Sequence, residues 1–148
     1  SGIDISDVNL SGADLREAQM AGSTMRRTSL VMSDLSGVDL SGSDLRDAEL
    51  AGINLSGANL TGSRAAGADF SEVELKSADG TPTGRMWVSN LSGAIFIDTD
   101  LTGAKLNGAN LKGANFQGAR LTRAQLRGAE LDGANLTPEQ LAEAATKP

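Results

Sequence analysis

Large apolar residues recur at every fifth position along most of the chain. They stand at Ile5, Leu10, Leu15, Met20, Met25, Leu30, Leu35, Leu40, Leu45, Leu50, Leu55, Leu60, Phe70 and Leu75, with Ala65 the one small substitute. After a gap the beat returns one residue out of phase, at Leu91, Phe96, Leu101, Leu106, Leu111, Phe116, Leu121, Leu126, Leu131 and Leu136. Two positions before each of these centres stands a small or β-branched residue, such as Ala13, Val38, Ala58 or Ala109. Two positions after them glycine is favoured, and of the 18 glycines only Gly80 and Gly84 fall off that slot.

A period of five suits neither ordinary element. Five residues of an α-helix advance about 140° beyond a full turn, so the leucines would scatter around the cylinder. On a flat strand an odd period would send successive leucines to opposite faces. The backbone therefore has to bend once per unit, with the centre and the small residue two before it pointing the same way. A chain that bends repeatedly with the same residues inward winds into a coil. Coils stacked at strand spacing pair their backbones and share one core.

Two segments break the beat. Asp79-Gly80-Thr81-Pro82-Thr83-Gly84 is dense in turn formers and predicts a short loop or bulge over 79–85. With Met86 as a further centre, Trp87 and Val88 face outward, as do Ile95 and Ile97 on either side of Phe96. These four form the candidate interaction surface, although four-sided geometry puts Trp87 and Ile97 two sides apart. The sequence leaves open whether Trp87 is a contact residue or folds down under the loop. At Thr137-Pro138-Glu139-Gln140 the chain reads as a helix start, with Thr as N-cap and Gln as the reciprocal member of a capping box. Leu141, Ala142, Ala144 and Ala145 continue it as a short apolar helix that would cover the C-terminal end of the core. No such cover precedes Ser1-Gly2 and Ile3-Asp4-Ile5, so a segment cut from a longer chain, or a homodimer through an end of the rod, is expected. The domain organisation is thus one repeat domain over 1–136, interrupted at 79–85, then a capping helix and tail over 137–148.

The motifs Ala13-Asp14-Leu15, Ala58-Asn59-Leu60, Ala109-Asn110-Leu111 and Ala134-Asn135-Leu136 resemble the signature of the pentapeptide-repeat family, over roughly residues 3 to 136. The resemblance implies an all-β fold: a right-handed quadrilateral β-helix with four units per coil, about seven coils, closed by a short C-terminal α-helix.

Composition narrows the chemistry. The chain has 148 residues and contains no His, Cys or Tyr, which removes the usual general base, the common triads and the main metal ligands other than carboxylates. Most acids, such as Asp14, Asp34, Asp39, Asp44 and Asp69, occupy the position before a centre, where Asp, Asn, Glu, Gln and Ser interchange. That suits a side chain bonded to local backbone and argues against an enzyme with a surface carboxylate pair. No catalytic, cofactor-binding or metal residue and no cofactor is expected. Net charge is −6, which argues against a nucleic-acid partner, and no apolar run approaches the ~20 residues of a membrane helix. The absence of Cys fits either redox compartment, so the cytoplasm is only a default.

Residues 1–80 carry 13 acidic and 6 basic side chains, whereas 81–148 carry 6 and 7. One branch of the family, the quinolone-resistance proteins, resembles DNA and engages a type II topoisomerase through an acidic surface. Asp4, Asp7, Asp44 and Asp47 fall on one side of a four-sided coil, but Arg26, Arg27, Arg46 and Arg64 fall there too and blunt the field. The leading expectation is therefore a non-catalytic scaffold or interaction module whose partner is another protein, with an acidic DNA mimic as the alternative.

Overall fold

The computed structural model describes Gly2–Ala144. Ser1, Ala145 on the expected helix and the tail over 146–148 lie outside the described residues. Backbone bridges join positions 20 apart, as in Asp4↔Thr24↔Asp44↔Arg64 and Asn9↔Ser29↔Glu49↔Asp69. Twenty residues are four units of five, so each coil has four sides. The first side carries the rungs Asp4, Thr24, Asp44, Arg64, Asp100 and Arg120. These are six levels where about seven were expected, because the residues around Leu75 and Met86 do not build a coil. The second side begins at Asn9, the third at Asp14, and the fourth includes Asp39, Asn59, Ile95 and Asn115.

Most units turn by the same device. In Leu10-Ser11-Gly12-Ala13 the Ala13 N–H donates to the Leu10 carbonyl at 3.1 Å, and Gly12 has φ of 74°. A turn with positive φ at its third residue favours glycine there. Asp7, Arg27, Met32, Asp47, Asp98 and Arg123 take the same slot with positive φ, at roughly 1–2 kcal/mol each for a residue bearing Cβ. Adjacent coils offset that strain through regular bonds: Leu10 N–H to Ser29 O at 2.7 Å, Gly12 N–H to Val31 O at 2.9 Å and Ser29 N–H to Val8 O at 2.9 Å.

The centres form the core. Leu35, Leu55, Phe70, Leu91, Phe96, Leu111 and Phe116 are fully buried, each burial stabilising by about 1.5–3 kcal/mol. Phe96 and Phe116, one coil apart on the fourth side, stack at 5.1 Å with 10° between planes. Phe70 meets Phe96 edge-on at 6.5 Å. In the end coils Leu10, Leu15 and Leu136 are only half-buried, since each has a neighbouring coil on one side alone. In the four middle levels the inward position two before the first-side centre is polar: Ser23, Ser43, Ser63 and Thr99 are all buried.

The interruption is larger than a loop over 79–85. The four rungs that straddle it, Asn54↔Asn90 to Asp69↔Lys105, span 36 positions instead of 20, so 16 residues are inserted. Three units plus one residue account for the change of phase. The insertion is a β-hairpin of β1 (Val73–Lys76) and β2 (Pro82–Trp87), paired as Val73↔Trp87, Glu74↔Met86 and Lys76↔Pro82. The seat above Leu55 goes to Leu91, so Leu75 lies in β1 and Met86, 45% exposed in β2, is not a centre. Asp79 organises the tip, its Oδ1 accepting from the Ser77 hydroxyl at 2.6 Å and the Thr81 N–H at 3.0 Å.

Helix α1 (Pro138–Glu143) follows the Thr137 cap, with the Gln140 N–H on Thr137 Oγ1 at 3.1 Å and the Thr137 N–H on Gln140 Oε1 at 3.0 Å. It closes the last coil by hydrogen bonding. Gln140 Nε2 donates to Phe116 O at 2.7 Å and Ala119 O at 3.0 Å, and the Arg123 N–H donates to Glu143 O at 2.8 Å. No residue of the helix itself is buried, and Leu141 is exposed.

Candidate interaction surface

The hairpin leaves the solenoid at the corner after the second side and is pinned there by its last residue. Trp87 Nε1 donates to the Gly52 carbonyl at 3.0 Å. A Cβ on Gly52 would lie 3.0 Å from Trp87 Cδ1, 3.1 Å from Met32 Cγ and 3.2 Å from Val73 Cγ2. The absent side chain at position 52 is thus what seats the indole. Trp87 nevertheless remains 49% exposed, beside Met86, Val88 and Met32 at 45%, 43% and 39%. The indole is thus packed against Gly52 while about half of the residue stays exposed. Sequence reasoning missed Met32. Its signal was a large apolar residue in a slot that otherwise favours glycine.

Ile95 and Ile97 are elsewhere. Ile95 is a rung of the fourth side between Asn59 and Asn115, and the Ile97 carbonyl accepts the Gly62 N–H at 2.8 Å. Both are half-buried and lie two sides from the Gly52 corner. The four expected surface residues therefore divide into Trp87 with Val88, and Ile95 with Ile97.

The carboxylates before the centres are occupied locally. Asp39 Oδ1 accepts the Ser41 N–H at 2.9 Å, Asn59 Oδ1 the Thr61 N–H at 3.0 Å and Asp69 Oδ1 the Ser71 N–H at 2.9 Å. In these three only Oδ1 is used, which an Asp or an Asn supplies equally, whereas Asp14 and Asp44 also engage Arg16 and Arg46 through Oδ2. Asp14 is held at about 2, first by side-chain hydrogen bonds from Arg16 and then by the Arg16 N–H. Asp79 is also held at about 2, by Ser77 and then Thr81. Asp7, Asp39 and Asp44 lie below the ordinary value, held there chiefly by Arg27, Ser41 and Arg46. Groups shifted this way accept hydrogen bonds at neutral pH and are poor general acids. Among the described residues no cluster of three or more potential metal ligands occurs, and no helix is long and apolar enough to cross a membrane.

The first side is a ladder of alternating charge, with Asp44, Arg64, Asp100 and Arg120 on successive rungs. Arg27 bridges to Asp7 and Arg46 to Asp44, each at 2.7 Å. The acids expected to make an acidic face there are interleaved with arginine. An open cleft of about 590 Å³ lies where the hairpin returns, lined by Glu72, Val88, Asn107 and Arg127 over Gly108 and Gly128.

A family model for pentapeptide repeats matches residues 3–42, 43–79, 89–123 and 104–137. No curated protein matches the chain. Among solved structures, a pentapeptide repeat protein from Nostoc PCC 7120 is 31% identical over 71% of this chain and 77% of its own, with a TM-score of 0.53. One from the Arabidopsis thaliana thylakoid lumen is 26% identical over 90% of this chain and 72% of its own, with a TM-score of 0.36. QnrB1, a plasmid-mediated fluoroquinolone resistance protein, is 21% identical over 99% of this chain and 92% of its own, with a TM-score of 0.36.

Proposed function

The chain belongs to the pentapeptide-repeat family, an all-β right-handed quadrilateral β-helix with a short C-terminal helix, and on that premise we propose that it is a non-catalytic scaffold presenting the hairpin root to another protein. The observation that carries this reading is the position of Met32, Met86, Trp87 and Val88. They are four of the seven large apolar side chains exposed among the described residues. Trp87 and Met32 both lie against Gly52, where the hairpin is pinned, and Met86 and Val88 flank Trp87 in the chain. A rigid, half-exposed tryptophan with adaptable methionines beside it is an economical anchor for a partner. Exposed apolar clusters of this kind mark interaction sites. Many of the remaining surface acids, such as Asp7, Asp39, Asp44 and Asp69, serve turns and ion pairs.

The test is affinity capture from cells of the source organism with wild type and Met86→Ser/Trp87→Ser, read by quantitative mass spectrometry. A partner enriched by the wild type and lost from the variant is the expected result. Identical captured sets from two equally folded proteins would overturn the reading.

A further inference from the structure

From the charges around the hairpin root we infer that its partner is a protein segment whose apolar side chains are flanked by lysine or arginine. This rests on the interaction reading above and adds the chemistry of the partner. The apolar cluster at Met32 and Trp87 sits on the corner between the second and third sides, above the N-terminal coils. On those two sides, below the hairpin, stand Asp14, Glu17, Asp34 and Glu49. The cation among them is Arg16, already held by Asp14 at 2.7 Å and by Asp34 at 3.9 Å. The other arginines of that half, Arg26, Arg27, Arg46 and Arg64, belong to the first side and its turn, where Asp7 and Asp44 engage two of them. Acids thus exceed cations along the third side, with Asp14, Glu17 and Asp34 against Arg16 alone. The second side carries Glu49 and Asp69 and meets the arginines only at its far corner, where it joins the first side. Lys76 and Arg85 lie out on the hairpin, and Lys105 lies one coil above Asp69.

An apolar patch with an acidic border selects its partner in two ways. Met32, Met86 and Trp87 supply contact area, while the border raises the encounter rate of basic segments and penalises acidic ones. Glu17 and Glu49 are exposed and Asp34 is half-buried. Among the described residues Glu17 and Glu49 form no ion pair. An incoming ammonium or guanidinium meets carboxylates with no partner to displace.

Three fluorescein-labelled 14-residue peptides test the inference by anisotropy: one built from leucine and lysine, one from leucine and glutamate, one from serine and lysine. The leucine–lysine peptide should bind at least tenfold more tightly than either of the others. Glu17→Gln/Asp34→Asn/Glu49→Gln should weaken it at least fivefold. The fold is preserved in that variant, since an amide at position 34 keeps the acceptor that Asp34 offers the Ser36 N–H at 3.0 Å. Met32→Ser should weaken binding to a similar degree. The remote triple Asp39→Asn/Asp132→Asn/Glu139→Gln, with the same change in net charge, should weaken it less than twofold. Equal binding of the leucine–glutamate peptide, or equal loss in the two triple variants, would sink the basic-segment assignment. If a partner is still captured through Met86 and Trp87 in that case, the interaction reading stands without it. If capture is also indifferent to those residues, both fall.

Discussion

Trp87 and Gly52 fit each other across 35 positions of sequence: the indole N–H donates to the Gly52 carbonyl at 3.0 Å, and Trp87 Cδ1 lies 3.0 Å from where a Cβ on residue 52 would stand. Gly52→Ala should therefore cost more than an alanine elsewhere in the same slot. Gly57 has φ of 66° against 68° at Gly52, and a Cβ there meets nothing within 4 Å. Gly57→Ala should lose roughly 1–2 kcal/mol from the positive φ alone. Gly52→Ala should lose about 1 kcal/mol more from crowding and shift the emission of the single tryptophan to the red. Chemical denaturation and fluorescence of the two variants check this; equal losses with unchanged emission would mean the contact is not what seats the indole.

The buried hydroxyls of the first-side corner differ in a way that predicts opposite signs. Thr99 Oγ1 donates to Leu60 O at 2.7 Å, whereas Ser63 Oγ and Ser43 Oγ have no partner. Ser63→Ala should stabilise the fold by about 1 kcal/mol, because a desolvated hydroxyl is removed. Thr99→Ala should destabilise it by about 1–2 kcal/mol through the lost bond and methyl. Urea titrations of the two single variants read the signs directly.

Leu111 and Lys112 are adjacent and face opposite ways. Leu111 is fully buried, and Lys112 is exposed, with Nζ 2.7 Å from Glu130. Leu111→Asp should cost about 4 kcal/mol or more by burying an unpaired charge. Lys112→Glu should cost less than about 1 kcal/mol. Melting curves showing comparable losses would contradict the inward and outward assignment.

Acid should unfold the rod through its Asp turns. The folded-state value of Asp14 is about 2 against an ordinary 3.8, and Asp39 is also lowered, chiefly by Ser41. A depressed folded value gives stability that is present above the ordinary value and lost as pH falls through the folded one. The melting temperature should hold from pH 7 to about 5 and fall between about 4 and 2. Asp39→Asn keeps the Oδ1 acceptor for Ser41, so it should leave stability at pH 7 unchanged and soften the acid limb. A steeper acid limb in that variant would contradict the assignment.

The solenoid was legible because the same local conflict, a turn every five residues, is solved alike at each unit. Leu35, Leu55, Leu91 and Phe116 could be placed inside from spacing alone. Leu75 shows where spacing stops: it falls on the beat, yet Val73-Glu74-Leu75-Lys76 also alternates with period two, and pairing with Pro82–Trp87 prevailed. The Asp79-Gly80 turn between those runs was the signal for a hairpin in place of a loop. Trp87 and Met32 could not be joined from sequence, because both lie against the empty position at Gly52 in a third segment. Ile95 and Ile97 were expected to point outward and are half-buried; the position of a residue on one side says nothing about its neighbours on another.

The 16 inserted residues carry a practical meaning for engineering. Above the hairpin the 20-residue spacing resumes in Asn90↔Asn110 as it stood below in Asp34↔Asn54, although the intervening length is not a multiple of five. Alignment is imposed by the coil beneath, not by a running count of residues. The Glu72–Val88 corner is therefore a graft point: a foreign segment of any length could replace the hairpin there, provided its two ends meet at that corner.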